Sequence, residues 1–435
     1  MHKLHIENFG PVKNCEFTVD DFCVLTGAQA SGKSTIAKVI FYFRTIKNEI
    51  AFSLYKYKSQ LFHVSSFTEY FQRELRRKFI EIFDGISEMN PDMCLQYYYD
   101  ENTLAKIVLE KTCPGTEEFQ EKSGIPVFSI EFSNDIKEYL KKIDNRDNWK
   151  KKTLDEVKKE LQELFHDEYN IIYVPAGREM ITLLAGQLDY LFMVMDDAQK
   201  ANIDYCSRNY IEEMKKIKPQ YENGLYGLYQ KKRLTSEITV STKTLEKMMD
   251  LIEEILKAKY VFKSGEDRLL IGDDKYLKMN YTSSGQQESV WILNLIFYYA
   301  LEGKKTFLIL EEPEAHLYPE TQKKMAELIA LFVNMGNGTL VTTHSPYILG
   351  AFNNLLYASF LGTDMVEKVD EIIAKEYWIA REKTRAFYVE NGEVRDIMDK
   401  ELPLIENEVI DGISETINSE NDKLLEIHME QQKDI

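Results

Sequence analysis

The chain has 435 residues, 44% hydrophobic and 29% charged, with 20 Gly and 10 Pro. That balance belongs to a globular protein with core enough for about three domains, and it excludes fibrous, low-complexity and wholly disordered classes. A formal charge of −18 excludes a surface built throughout to neutralise phosphates, but 14 acidic against 4 basic residues from Glu390 to Ile435 concentrate more than half of it at one end, leaving room for a local basic patch elsewhere.

In chain order, Leu4 to Ile6, Cys15 to Val19 and Phe22 to Thr26 read as strands around the turn Asn8-Phe9-Gly10-Pro11. The third strand ends at Gly27. Ile36, Val39, Ile40 and Phe43 then recur at helical spacing, which predicts a helix over Ser34 to Arg44. A second, aromatic-rich helix runs to about Phe83. Cys94 to Tyr99 and Ala105 to Glu110 form a predicted hairpin around Asp100-Glu101-Asn102, and with Val127 to Phe132 they make an antiparallel subdomain. Lys137 to Phe165 is a charged helical stretch, and Asn170 to Val174 is a short buried strand closed by Pro175. Helical blocks near 179–218 and 242–258 follow. The β signal returns from Tyr260, through Leu269 to Ile271 and Tyr276 to Met279, before Ser283-Ser284-Gly285-Gln286-Gln287 opens a long apolar helix. Thr306 to Leu310 and Thr339 to Thr343 are continuous apolar or β-branched runs, the form of parallel strands buried on both faces.

The expected fold is therefore α/β. Its parts are an N-terminal lobe over 1–178, a helical insertion over 179–260, a C-terminal lobe over 261–390 and an acidic tail over 391–435. The five cysteines form no C-x-x-C pair, so neither a disulfide framework nor a zinc site is encoded and a reducing cytoplasm fits. The N-terminus lacks a signal peptide's apolar core. The longest apolar run, Val290 to Leu301, is interrupted by Asn294, so no membrane span is expected.

Four groups of residues carry chemistry. Gly27-Ala28-Gln29-Ala30-Ser31-Gly32-Lys33-Ser34, continued by Thr35, matches G-x-x-x-x-G-K-[ST] between a predicted strand and helix. Such glycines let backbone N–H groups wrap phosphates at a helix N-terminus; Lys33 would reach the β/γ-phosphates of ATP and Ser34 would ligate Mg²⁺. Second, the apolar strand Phe307 to Leu310 ends in Glu311 and Glu312, one acid for the metal and one to orient the attacking water. Third, His344 ends a strand one strand–helix–strand unit after Glu312, where it could sense the γ-phosphate. Fourth, Ser284, Gly285 and Gln286 stand at a helix start whose free N–H groups suit a phosphate, yet Lys33 and Ser34 already take the near side, which points to ATP sandwiched between two copies. Singly, these are also a glycine-rich turn, a solvated acidic loop, a polar histidine and a serine N-cap.

Together they resemble the ABC-type ATPases of the SMC, RecF and OLD group. The residues that carry it are Asn8-Phe9-Gly10-Pro11, the Walker A loop at Gly27 to Ser34, the signature Ser283 to Gln287, the Walker B run Leu308 to Glu312 continuing as Pro313-Glu314-Ala315-His316-Leu317-Tyr318-Pro319, and the switch His344 with Ser345-Pro346, in the family's order. Tyr173-Val174-Pro175-Ala176 with Arg178 looks like a segment of bacterial members found in anti-phage operons. Ala30, Gln286 and Glu311 depart from the transporter pattern of Gly, Gly and Asp. The resemblance implies an ABC-ATPase head with a parallel-sheet P-loop core, an antiparallel β subdomain and a helical lobe. It also implies ATP and Mg²⁺ as ligands, a homodimer or higher oligomer, and a sensor or switch of the Septu or PARIS type gating a separate effector such as a nuclease. No C-x-x-C hook or Asp-x-Asp element accompanies these motifs. A RecF-like DNA clamp and an ATP-binding scaffold with little turnover are the alternatives. Arg73 to Lys78 and Lys215 to Lys218 are basic segments that could touch nucleic acid but read as solvated helix faces.

Overall fold

The computed structural model describes residues 2–59, 66–83, 90–109, 128–145, 152–183, 194–195, 203–235, 240–272, 275–406 and 418–424. Its N-terminal part comprises β1 (His2–Phe9), β2 (Val12–Val19), β3 (Phe22–Gly27), α1 (Lys33–Ser59), α2 (Phe67–Phe83), β4 (Cys94–Tyr98), β5 (Leu104–Leu109) and β6 (Phe128–Phe132). Then come α3 (Asn134–Asn145), α4 (Leu154–Leu164), β7 (Asn170–Val174), α5 (Tyr205–Ile217), α6 (Gly224–Thr235) and α7 (Thr242–Leu256). The rest is β8 (Lys259–Lys263), β9 (Glu266–Leu270), β10 (Tyr276–Lys278), α8 (Ser284–Glu302), β11 (Thr306–Glu311), α9 (Pro319–Asn334), β12 (Gly338–Thr343), α10 (Pro346–Leu361), α11 (Val366–Asp370), β13 (Thr384–Glu390) and β14 (Glu393–Asp396).

One eleven-stranded sheet has the order β6-β5-β4-β1-β2-β14-β13-β3-β12-β11-β7. Its β13-β3-β12-β11-β7 half is parallel, and β6-β5-β4-β1-β2 is antiparallel. The halves join where Glu393 lies beside Asn14. Strands β3, β11 and β12 are buried along their whole length. Because strand side chains alternate between faces, each strand feeds two cores. Phe22, Val24, Leu308, Leu310 and Val341 enter the core that holds α8, while Cys23, Leu25, Phe307, Ile309 and Leu340 enter the one that holds α1. Helix α8 is apolar on all sides from Val290 to Leu301 because it packs among α5, α6, α7 and α9. The smaller sheet, β10-β9-β8, lies apart from these strands in the pairing. No described helix is long and apolar enough to cross a membrane.

One expectation gains detail and one needs correction. The stretch Lys137 to Phe165 holds two helices, since Thr153 and Glu156 form a reciprocal capping box that starts α4 afresh. The acidic tail does not begin at 391. Asn391 (φ +53°) and Gly392 (φ +84°) make the tight turn that returns β14 antiparallel to β13, and Ile397, Met398 and Ile405 are buried. Gly392 O also accepts from the Lys13 and Asn14 amides at 2.7 and 3.1 Å, so this hairpin is what links the two halves of the sheet. Glu110, Val127 and most of the helical block at 184–202 lie outside the described residues.

At the sheet end opposite Gly27, Arg44 forks onto Asp167 at 2.8 and 3.1 Å, with Lys47 at 3.0 Å from the same carboxylate, all buried. The Arg44 and Lys47 charges hold the Asp167 carboxyl far below its usual range despite burial. Beside them, buried His2 has Nδ1 2.9 Å from the Tyr97 hydroxyl and Nε2 3.2 Å from His166 O. A neutral ring satisfies both. Burial first, then Arg44, pushes its pKa from the ordinary 6.5 down to about 4. The unfolded chain therefore binds a proton at pH 4–6.5 that the native chain refuses. Stability should be full above pH 6.5 and fall by up to ~3 kcal/mol as pH drops toward 4. Urea melts across this range check it: His2→Leu should flatten the slope, and an unchanged slope refutes the assignment.

Candidate nucleotide site

The C-terminal ends of parallel β3, β12 and β11 place Gly27, His344 and Glu311-Glu312 along one edge, where α/β sheets bind ligands. Gly27 has φ +143°, and a Cβ there would fall 2.2 Å from Val389 O of β13. Gly32 has φ +112°, and its Cβ would meet Val12 Cγ2 at 2.9 Å, so the turn before β2 supports the loop from beneath. Ala30 takes φ +59° without being glycine, a strain of roughly 1–2 kcal/mol. Ala28, Gln29, Ala30 and Ser34 are exposed, Ser31 and Thr35 half-exposed. The Ile36 amide donates to Gly32 O at 3.0 Å and opens α1.

Lys33 is buried and donates from Nζ to Gly27 O (3.0 Å) and Ala28 O (2.8 Å). Burial lowers its pKa, against the pull of Glu312, Glu314 and Glu311. His344 Nδ1 lies 2.9 Å from Gly27 O and 3.5 Å from Lys33 Nζ, and its Nε2 is 3.0 Å from Glu312 Oε1. The short contact of each ring nitrogen is to an oxygen. The His344 hydrogen bond, ahead of its charge and those of Lys33 and Arg178, holds the Glu312 carboxyl below the usual range. Glu312 itself sits at φ +43°.

The other carboxylates fit a cation. Glu311 is buried; its Oε2 accepts from the Ala176 amide at 3.2 Å, while its Oε1 has no partner. An unpartnered buried carboxylate oxygen is a donor a hard divalent ion takes, so Glu311 suits Mg²⁺, and the exposed Ser34 hydroxyl offers a second oxygen from the phosphate loop. Glu314, which sequence reasoning left without a role, is buried and accepts from the Thr343 hydroxyl and from the His344 amide at 3.2 Å, fixing the switch strand's end. Burial raises its pKa. A motif could not have flagged it, because its partners come from a strand about 30 residues away.

At the start of α8, Ser283 caps the helix and Gln286 closes the box onto the Ser283 amide at 3.0 Å, while its Nε2 donates to Leu256 O at 2.7 Å. The Gln286 side chain is thus taken up inside the chain. Ser284 and Gly285 remain at the helix start, and none of these three hydrogen-bonds to residues 27–35 of the same chain. Walker A, Walker B and the switch histidine are brought together; the signature is not joined to them through a phosphate site of its own chain. Arg178, noted in the sequence without a role, is fully buried and reaches Glu311 O at 2.6 Å and Glu312 O at 2.9 Å. Glu179, Glu288 and His316 also bring ligand-type atoms within 4.8 Å of one another, but both Glu288 oxygens already accept N–H groups.

A phosphate loop between strand and helix, an acidic strand end two strands away and a histidine from the strand between them define an ABC-type ATPase head. The chain belongs to the family described as AAA ATPase domain, which matches residues 1–180 and 191–349. No curated protein matches it in sequence. Solved structures similar to it include an SMC head bound to the C-winged helix domain of ScpA, with 13% identity, 91% of this chain and 96% of that one covered, and a TM-score of 0.39. The SMC head domain from Thermotoga maritima gives 13%, 91%, 97% and 0.37. A Pyrococcus furiosus Smc head with extended coiled coil, bound to the C-terminal domain of ScpA, gives 14%, 91%, 96% and 0.37. Likeness at that level says nothing about what this chain binds.

Lys33→Ala should abolish ATP binding in calorimetry without unfolding the chain, because the interactions it loses are loop carbonyls and the acids' countercharge. Unchanged affinity would remove the phosphate-loop assignment.

Proposed function

We propose that this chain is an ATP-hydrolysing switch whose active sites form between two copies. The observation that supports it most directly is the continuous line Gly27–His344–Glu312, together with a Ser284 that makes no hydrogen bond to the phosphate loop of its own chain. The Gly27 to Thr35 loop would hold the triphosphate, Lys33 exchanging its loop carbonyls for β/γ-phosphate oxygens. Ser34 and Glu311 would hold Mg²⁺, which supplies charge neutralisation at those oxygens. Glu312 would orient the attacking water and take its proton, and His344 would report the γ-phosphate to Glu312 through their shared hydrogen bond. The partner's signature helix would close the far side with its N-terminal N–H groups.

The family resemblance supports a further reading, in which closure gates a separate effector such as a nuclease in anti-phage defence. A DNA clamp draws less support from the two basic segments, because several of their cations are already paired. Arg77 pairs with Glu74 and Glu81, Lys78 is buried on Glu49 at 2.6 Å and Lys218 on Asp267 at 2.8 Å.

Glu312→Gln keeps shape but loses the base. ATP should still bind, hydrolysis should fall by ~10²-fold or more, and a closed pair should accumulate in size measurements with ATP. Wild-type turnover in this variant would show that Glu312 is not the water-activating group.

The composite site is tested by mixing. Ser284→Arg should block hydrolysis while sparing ATP binding, and combining it with Lys33→Ala chains should restore activity, since one site of the mixed pair then carries both defects and the other neither. Normal hydrolysis by Ser284→Arg alone would refute the shared site.

A further inference from the structure

Arg178 leaves the end of β7 fully buried, and its guanidinium is spent on three separate elements. Nη1 donates to Pro175 O at 2.5 Å and to Glu311 O at 2.6 Å, and Nη2 donates to Glu312 O at 2.9 Å. Nε donates to Glu288 O at 3.1 Å and lies 3.2 Å from Glu288 Oε2. The Glu288 carboxylate in turn accepts from the Arg178 and Glu179 amides at 3.0 and 3.1 Å. Burying a cation needs only one well-placed carboxylate. Here two of the carbonyls bound are those of Glu311 and Glu312, at the acidic strand end itself.

The Glu312 backbone needs such support. At φ +43° a residue with a side chain is strained and persists only where its surroundings hold it. Its amide is held by Thr342 O at 2.9 Å and its carbonyl by Arg178. On the other side of the arginine, Glu288 stands one helical turn beyond Ser284, on the same face of α8. A second contact runs alongside: a Cβ on Gly285 would fall 2.7 Å from His316 O, so the helix start abuts the loop that follows Glu312.

We propose that Arg178, with Glu288, is a positioning residue that ties the signature helix to the Glu312 peptide, so that a phosphate docking at Ser284 is felt at the water-activating carboxylate. This rests on the ATPase reading above. Lysine could not replace it, because one ammonium cannot reach two adjacent carbonyls and the helix together.

The test uses the full chain with Arg178→Met combined with Glu288→Met, which removes the pair without leaving a lone buried charge, and Arg178→Lys as the second variant. ATP affinity and KM should stay within about threefold while kcat falls at least ~10-fold. In the nucleotide-free chain, hydrogen exchange at the Glu312 and Ala315 amides should speed up at least ~10-fold, with Leu340 and Val341 unchanged. A folded double variant with wild-type kcat and unchanged exchange overturns the proposal. Affinity, kcat and melting falling together, or neither variant melting cooperatively, reduces Arg178 to a folding residue and overturns it equally. The ATPase reading fails separately, if wild-type protein hydrolyses ATP no faster than Glu312→Gln; the exchange measurement then decides the tether alone.

Discussion

The nucleotide edge depends on β12 lying between β3 and β11. Neighbouring strands are about 4.8 Å apart, so the ends of β3 and β11 stand roughly 10 Å from each other, with the end of β12 between them. His344 closes that gap because it ends the intervening strand, with Gly27 O 2.9 Å from one ring nitrogen and Glu312 Oε1 3.0 Å from the other. A strand order placing β11 beside β3 would bring the groups together without a residue between them.

That geometry gathers charge. Glu311, Glu312 and Glu314 converge with Lys33 and His344 in a region where burying an unpaired carboxylate oxygen is costly. Two such oxygens stand without partners, Glu311 Oε1 and Glu314 Oε2, and the backbone is left-handed at Ala30, Glu312 and His316. Local rules broken together at one edge of an otherwise consistent sheet mark the place where folding stability has been exchanged for ligand affinity. The Arg44–Asp167 pair at the opposite end shows the contrast, since there every carboxylate oxygen is matched by a cation.

Much of this was legible in the sequence, for identifiable reasons. The Gly27 to Ser34 loop reads directly because phosphate wrapping dictates residue type and spacing at once, and β11 and β12 read because burial on both faces leaves unbroken apolar runs. The β13–β14 hairpin is harder to read for an equally physical reason: acidic residues begin at Glu390 and mask both the buried Ala386, Phe387 and Val389 before them and Asn391-Gly392, a strong turn signal. The restart of α4 was legible in Thr153-Leu154-Asp155-Glu156. The partners of Arg178 were not, since four of its acceptors are backbone carbonyls that carry no sequence signature.

Glu312 is consequently held from two directions by groups that belong to different parts of the chain. His344 holds its side chain from the phosphate-loop side, and Arg178 holds its carbonyl from the side of α8. A strained peptide between two tethers has few arrangements open to it, and changing either tether alters which one is occupied. In the proposed shared site, one residue would answer to two events, arrival of its own nucleotide at Lys33 and docking of the partner's at Ser284. Coupling of that kind needs no long-range motion, because Ser284 and Glu288 are a single helical turn apart and Arg178 covers the remaining distance in one side chain.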